Sequence, residues 1–103
     1  MTLEFWTRQI WNACQQQKVC KIKFRNEFFV RIVHPYGICQ TRQNKIIVVC
    51  WQVDGPGKGG TIPGYRNMLL ENCEGIEILE ETFEVQRDFN PENPIYKDWV
   101  FHI

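Results

Sequence analysis

Three cations, Arg31, Lys58 and Arg66, and three large aromatics, Tyr36, Trp51 and Tyr65, stand where a short β fold could gather them around one loop. Guanidinium and ammonium groups hold phosphate through charge-assisted hydrogen bonds, and flat aromatic faces stack on nucleobases. Gln52, Asn67 and His34 add groups able to read the hydrogen-bonding edge of a base, while Arg87 and Asn90 sit later, where a tail could close over a ligand. The loop, residues 54–64 (Asp-Gly-Pro-Gly-Lys-Gly-Gly-Thr-Ile-Pro-Gly), holds five of the seven glycines: Gly55, Gly57, Gly59, Gly60 and Gly64. Such a segment exposes amide N–H groups and adopts backbone angles closed to other residues. It is not a nucleotide-hydrolysing loop, because it lacks a Gly-Lys-Ser/Thr ending and no helical pattern follows it. The competing readings are core packing for each aromatic, an exposed strand face for each arginine, and a long hairpin connection for the loop.

Covalent chemistry is poorly provided for. His34 beside a cysteine would make a base and a nucleophile, but Cys39 and Cys50 lie in apolar, strand-like sequence that raises a thiol pKa. The acidic run Glu77, Glu80, Glu81 and Glu84 lacks the companions a metal needs and reads as a solvated face. Neither His34 nor His102 stands at zinc-ligand spacing from Cys14, Cys20, Cys39, Cys50 or Cys73. The expectation is a binding domain that is not an enzyme and carries no metal or other cofactor.

The elements that must position these groups follow from periodicity. With 103 residues the chain is expected to form one domain, 1–103. Thr2 is a plausible N-cap for a helix running to about residue 17 within segment 1–18, with Trp6, Ile10, Ala13 and Cys14 as its buried stripe. From Val19 the period becomes two, Cys20, Ile22 and Phe24 alternating with Lys21, Lys23 and Arg25, as in a half-buried strand. A second strand is expected from Phe28 to about Val33, continuing through Pro35 and Gly37 with a bend or bulge. The apolar run over 46–53 predicts a central strand covered on both faces, and further strands are expected over 66–70 and 76–79. The fold class is therefore mainly β with an N-terminal α-helix: a small, strongly bent five-stranded sheet or partly closed barrel over 19–79. Residues 80–103 read as an irregular tail whose Trp99 and Phe101 pack back on the barrel or on another subunit.

Charge and cysteine usage narrow the partners. Twelve basic and twelve acidic residues cancel, which gives no signal for a partner held by bulk attraction. Segment 18–42 is nevertheless basic and 71–84 acidic, so a basic face is expected if the first group shares one side. An odd number of scattered cysteines, with Glu4 near a start that lacks a signal-peptide pattern, predicts reduced thiols in a cytoplasmic protein. No apolar run approaches the ~20 residues of a membrane span.

At Arg31-Ile-Val-His-Pro-Tyr-Gly-Ile38, Lys45-Ile-Ile-Val-Val-Cys-Trp-Gln52, the glycine loop, Pro63-Gly-Tyr-Arg66 and Cys73-Glu-Gly-Ile-Glu-Ile-Leu79, the chain resembles the WYL domain in its small single-domain form. The likeness covers about residues 20–90 and lies in order and spacing. His34 replaces a usual acid, Val-Val-Cys replaces the Trp-Tyr-Leu triplet, and Leu69 stands where arginine is frequent. The resemblance implies an Sm-like or SH3-like barrel and the sensing of nucleic acids or nucleotide-derived ligands in bacterial defence and transcription. It thus implies capture of a nucleotide-like small molecule or single-stranded nucleic acid, as a sequestering protein in anti-phage defence or a regulator of a partner. The alternative is an assembly module that forms a homo-oligomer through the C-terminal tail or a sheet edge.

Overall fold

The computed structural model describes residues 2–57 and 61–103, so Lys58, expected to contact phosphate, lies outside the described residues. Helix α1, Leu3–Gln16, starts where expected: the Thr2 hydroxyl accepts the Phe5 N–H at 3.1 Å. It stops at Gln17, whose left-handed backbone (φ 49°) turns its N–H back to the carbonyls of Ala13 and Cys14. Trp6, Ile10, Ala13 and Cys14 are its buried residues, the stripe read from the sequence.

Six strands follow, β1 Lys18–Phe24, β2 Arg31–Gln40, β3 Ile46–Asp54, β4 Gly64–Leu69, β5 Cys73–Thr82 and β6 Asp98–His102. They form one antiparallel sheet in the order β4-β3-β2-β1-β5, with β6 added on β2. The sheet is bent but not closed, and the chain is mainly β, as expected. Two details differ from the sequence reading. There are six strands, because the end of the tail pairs with β2 from Gly37 to Gln40. Strand β2 also starts at Arg31 and not Phe28, since residues 28–30 leave the ladder with Phe28 and Phe29 in solvent.

Strand β2 serves two neighbours along one edge. Its first part pairs with β1 (Ile22↔Arg31, Cys20↔Val33) and its second with β6 (Ile38↔Phe101, Gln40↔Asp98), while β3 runs along its other edge throughout. The change of partner falls at a bulge: Pro35 lies opposite Cys50 and Gly37 opposite Val49, leaving Tyr36 as the extra residue. Gly37 is needed there for space. A Cβ on it would collide with Phe101 O and lie 2.8 Å from His102 Cα and 2.9 Å from the Trp99 ring.

Both faces of the sheet are covered. On one face α1 packs with Cys20, Ile22, Val33, Ile38, Val48, Cys50 and Leu70. On the other the tail folds across, and Phe83, Phe89, Tyr96 and Trp99 gather with Tyr36, Val49, Trp51 and Tyr65. Trp99 and Phe101 thus pack back on the sheet, the first on the tail-side core and the second on the helix-side core. The basic strand is answered by the acidic one: Lys21 lies opposite Glu77, Lys18 reaches Glu80 at 3.5 Å and Lys23 reaches Glu74 at 3.6 Å. These exposed pairs hold little energy, but they neutralise the expected basic face along β1.

Gly37→Ala is expected to lower stability by about 1–3 kcal/mol, because backbone must move to admit the methyl. Gly75→Ala in β5, where an added Cβ meets nothing within 4 Å, serves as the control and should hold or raise stability. Urea unfolding of both variants checks the contrast.

Candidate functional site

The alternation of strand side chains divides the candidate residues between the two faces. Arg66 lies opposite Cys50, a residue of the helix-side core, while Tyr65 lies opposite Trp51 in the tail-side core. Adjacent residues on one strand point to opposite faces, so Arg66 and Tyr65 cannot serve one ligand from one side. Arg31, Gln52 and Arg66 come together; Tyr36, Trp51, Tyr65 and His34 gather on the other face.

Arg31, Gln52 and Glu27 form a fixed network at the start of β2. Arg31, its side chain 12% exposed, donates from Nε and Nη2 to the two oxygens of Glu27 at 3.0 and 2.6 Å, and from Nη1 to Gln52 Oε1 at 2.8 Å. Gln52 is fully buried, and its amide donates to the carbonyls of Asp54 and Pro56 at 3.2 and 2.8 Å. A side chain of β3 therefore holds the beginning of the glycine loop and an arginine of β2 at once. Gly55 (φ 107°) completes the fit, since a Cβ there would lie 2.6 Å from Val30 O.

From β4, Arg66 packs under the same loop. Its Nη1 donates to Tyr65 O at 2.7 Å and its Nη2 to Thr61 O at 2.9 Å, while its buried Nε has no hydrogen-bond partner. Arg25, Arg31 and Arg66, with Asn67, Phe28 and Phe29, line an open groove of about 590 Å³ between this loop and the turn before β2. Phe28 is 96% exposed and Phe29 74%. The aromatic surfaces on the groove are thus these two phenylalanines, which sequence reasoning assigned to a strand. The available signal was three consecutive apolar residues, 28–30, directly after the polar Asn26-Glu27 turn, where a half-buried strand would alternate.

The aromatics expected to stack on a ligand are engaged within the fold. The Tyr36 hydroxyl, fully buried, accepts the Gln86 N–H at 2.8 Å, and Tyr65 donates to Asp88 Oδ1 at 2.6 Å. Burial, with the Asp88 carboxylate adding to it, raises the Tyr65 phenol well above its ordinary range. Trp51 meets Tyr65 edge to face, with centroids 4.9 Å apart. His34 stacks on Phe83 at 4.6 Å, and burial lowers its pKa against the opposing pull of Glu81. Arg87 and Asn90 are exposed on the tail, where the Asn90 side chain accepts the Glu92 N–H at 3.0 Å. They stand with the tail-side core and not over the groove.

All five thiols are free and buried. Burial pushes Cys20 up to about 12 and Cys73 up to about 11, far from a reactive thiolate. Among the described residues, no group of three or more His, Cys, Asp or Glu side chains is placed to hold a metal ion, and no helix is long and apolar enough to cross a membrane.

Gln52→Leu should cost about 1–3 kcal/mol, since it leaves the Arg31 guanidinium and two loop carbonyls short of a partner. Hydrogen exchange should quicken at residues 54–57 and stay unchanged in α1; equal rates in wild type and variant would show that Gln52 does not anchor the loop.

No family model and no curated protein matches the sequence. Among solved structures, the chain is similar to proteasome accessory factor B/C (PafBC) of Arthrobacter aurescens, a WYL-domain-containing protein, with a TM-score of 0.65 and 19% identity. The match covers 82% of this chain and 13% of that one. The chain shares the fold of a segment of PafBC, in accord with the WYL-like fold implied by its sequence.

Proposed function

We propose that the groove between the glycine loop and the turn before β2 binds a nucleotide-derived ligand or a short run of single-stranded nucleic acid, without catalysis. One observation carries this reading: Arg25, Arg31 and Arg66 line the same open groove as two exposed phenylalanines. Phosphate calls for guanidinium donors, and a base calls for a flat apolar face. Glu27 is the only acid lining the groove among the described residues, and its carboxylate holds Arg31 in a fixed orientation. Positioning Arg31 in this way lowers the ordering cost of binding. Arg66 brings a buried Nε without a hydrogen-bond partner, a donor that a phosphate oxygen would satisfy.

The aromatic contribution is expected to come from Phe28 and Phe29, each base stacked being worth about 1–3 kcal/mol. The cationic part should appear as salt dependence, with log K falling by about 0.7 per phosphate neutralised on a single strand. The fold's likeness to a segment of PafBC supports a ligand-binding or regulatory use of this domain and does not name the ligand.

Fluorescence anisotropy with labelled oligothymidylate and a cyclic dinucleotide tests the proposal. Binding should weaken about tenfold or more in Phe28→Ala/Phe29→Ala, and Arg66→Met should weaken it and flatten the salt dependence by about 0.7. Trp51→Phe, on the opposite face, should bind as wild type does. Absence of binding to either probe, or equal loss in all three variants, would contradict the proposal; a probe recovered chemically altered would overturn its non-catalytic part.

A further inference from the structure

Two histidines touch the aromatics of the tail side, and their surroundings differ. His102 is exposed beside Trp99, with ring centroids 4.9 Å apart, and its Nδ1 lies 2.8 Å from Ile103 O. His34 is half-buried in β2 and lies flat on Phe83, the rings 4.6 Å apart and within 10° of parallel. Its Nδ1 is buried and has no hydrogen-bond partner. Phe83 is where the tail leaves β5: the strand ends at Thr82, and the Phe83 N–H donates to Gln17 O at 3.0 Å. Further along, the Gln86 N–H donates to the Tyr36 hydroxyl at 2.8 Å. The start of the tail is thus held on the sheet by these two amides together with the ring of His34.

A neutral imidazole fits this setting and a cation does not. With its single proton on Nε2, the ring buries only a lone pair at Nδ1; a second proton makes Nδ1 a buried donor with no acceptor, which is costly. The face of Phe83 attracts a cation, but an imidazolium carries its charge towards its N–H edges, and one of those edges is closed in. The charged neighbours do not repair this. Glu81, exposed near the end of β5, pulls towards the cation, yet burial outweighs it and holds the ring below the ordinary histidine range. On β1 the residue alongside is Val19, next to the Cys20 that pairs with Val33, and the cations Lys18 and Lys21 are answered by Glu80 and Glu77. Strand β3 places Trp51 opposite His34, and the tail contributes Phe83, with Glu84 and Arg87 exposed and Asp88 engaged by the Tyr65 hydroxyl. The Tyr36 phenol, raised by burial, stays neutral.

We propose that His34 is an acid-sensitive latch on the tail: with the ring neutral, Phe83 lies on it and residues 83–86 stay on the sheet, and a proton taken from solvent at Nδ1 lifts them so that the new N–H reaches water. The stack contributes in full above the ordinary histidine value of about 6.5, and its contribution is lost as pH falls through that value towards the lower one of the closed state. The latch lies across the sheet from the arginine groove, so each proposal can fail without the other.

Hydrogen exchange of the full chain, followed by NMR from about pH 7.5 to about pH 5.5 and corrected for the intrinsic rate at each pH, tests the latch. The amides of Phe83 and Gln86 should lose protection by about threefold or more at the acid end, while Ile10 and Ala13 in α1 keep theirs. His34→Phe leaves an aromatic ring against Phe83 and removes the titration, so the acid loss should vanish, whereas His102→Gln should leave it in place. Glu81→Gln removes the carboxylate that favours the cation and should deepen the loss, because the closed state then takes the proton less readily. This second variant keeps the test decisive if His34→Phe does not fold. Protection at Phe83 and Gln86 that is independent of pH in the wild type overturns the proposal. So does an acid loss that survives His34→Phe, disappears in His102→Gln, fails to deepen in Glu81→Gln, or is shared equally by α1.

Discussion

The closeness of β6 to β2 at Gly37 is the constraint on which the rest of the fold depends. No side chain fits between Gly37 and the backbone of Phe101 and His102, so the tail lies against β2 only because position 37 has no Cβ. The adjacent bulge ejects Tyr36 from the ladder into the tail-side core, and its buried hydroxyl accepts the Gln86 N–H. One local irregularity thus passes the edge of β2 from β1 to β6 and fixes the path of the tail. Pro35, which has no N–H to offer a ladder, is tolerated because the register is already broken there.

Once the tail covers one face and α1 the other, the sheet becomes a partition. Residues adjacent in sequence are separated by it, and the consequence for chemistry is direct. Tyr65 and Arg66, side by side in the chain, serve different purposes: the phenol ties the tail through Asp88, and the guanidinium supports the glycine loop. Trp51 and Gln52 divide the same way, one into the aromatic cluster and the other into a buried network joining Arg31 to the loop. Gln52 is costly to bury unless every polar atom finds a partner, and its partners are the two segments that frame the groove. The groove's geometry is therefore built from the strand interior outward.

Much of this was legible in the residues. The Thr2 cap, the stripe Trp6, Ile10, Ala13 and Cys14, and the break at Pro35 and Gly37 are local patterns, and local patterns survive folding. Arg31, Gln52 and Arg66 were also legible as members of one site, because β2, β3 and β4 are neighbours in order. The facing of the aromatics was harder to read. Strand alternation separates Trp51 from Gln52 on paper, but the bulge at Tyr36 and the return of the tail decide which face is closed. Strand β6 lacked a local signal too, since Asp-Trp-Val-Phe-His becomes a strand through its pairing with a distant segment. Phe28 and Phe29 were harder to place because β propensity describes fit to a half-buried surface, and both rings lie in solvent outside the ladder.

The central claim is that the sheet presents its ligand to the arginine face and keeps the aromatic cluster as structure. An NMR titration of the isotope-labelled chain with oligothymidylate tests this most directly. Amide shifts concentrated in residues 25–31, 54–57 and 66–68, with Tyr36 and residues 83–99 unmoved, are the result the account predicts. Shifts centred on Tyr36, Tyr65, Phe89 and Trp99, with the arginine groove silent, would contradict it.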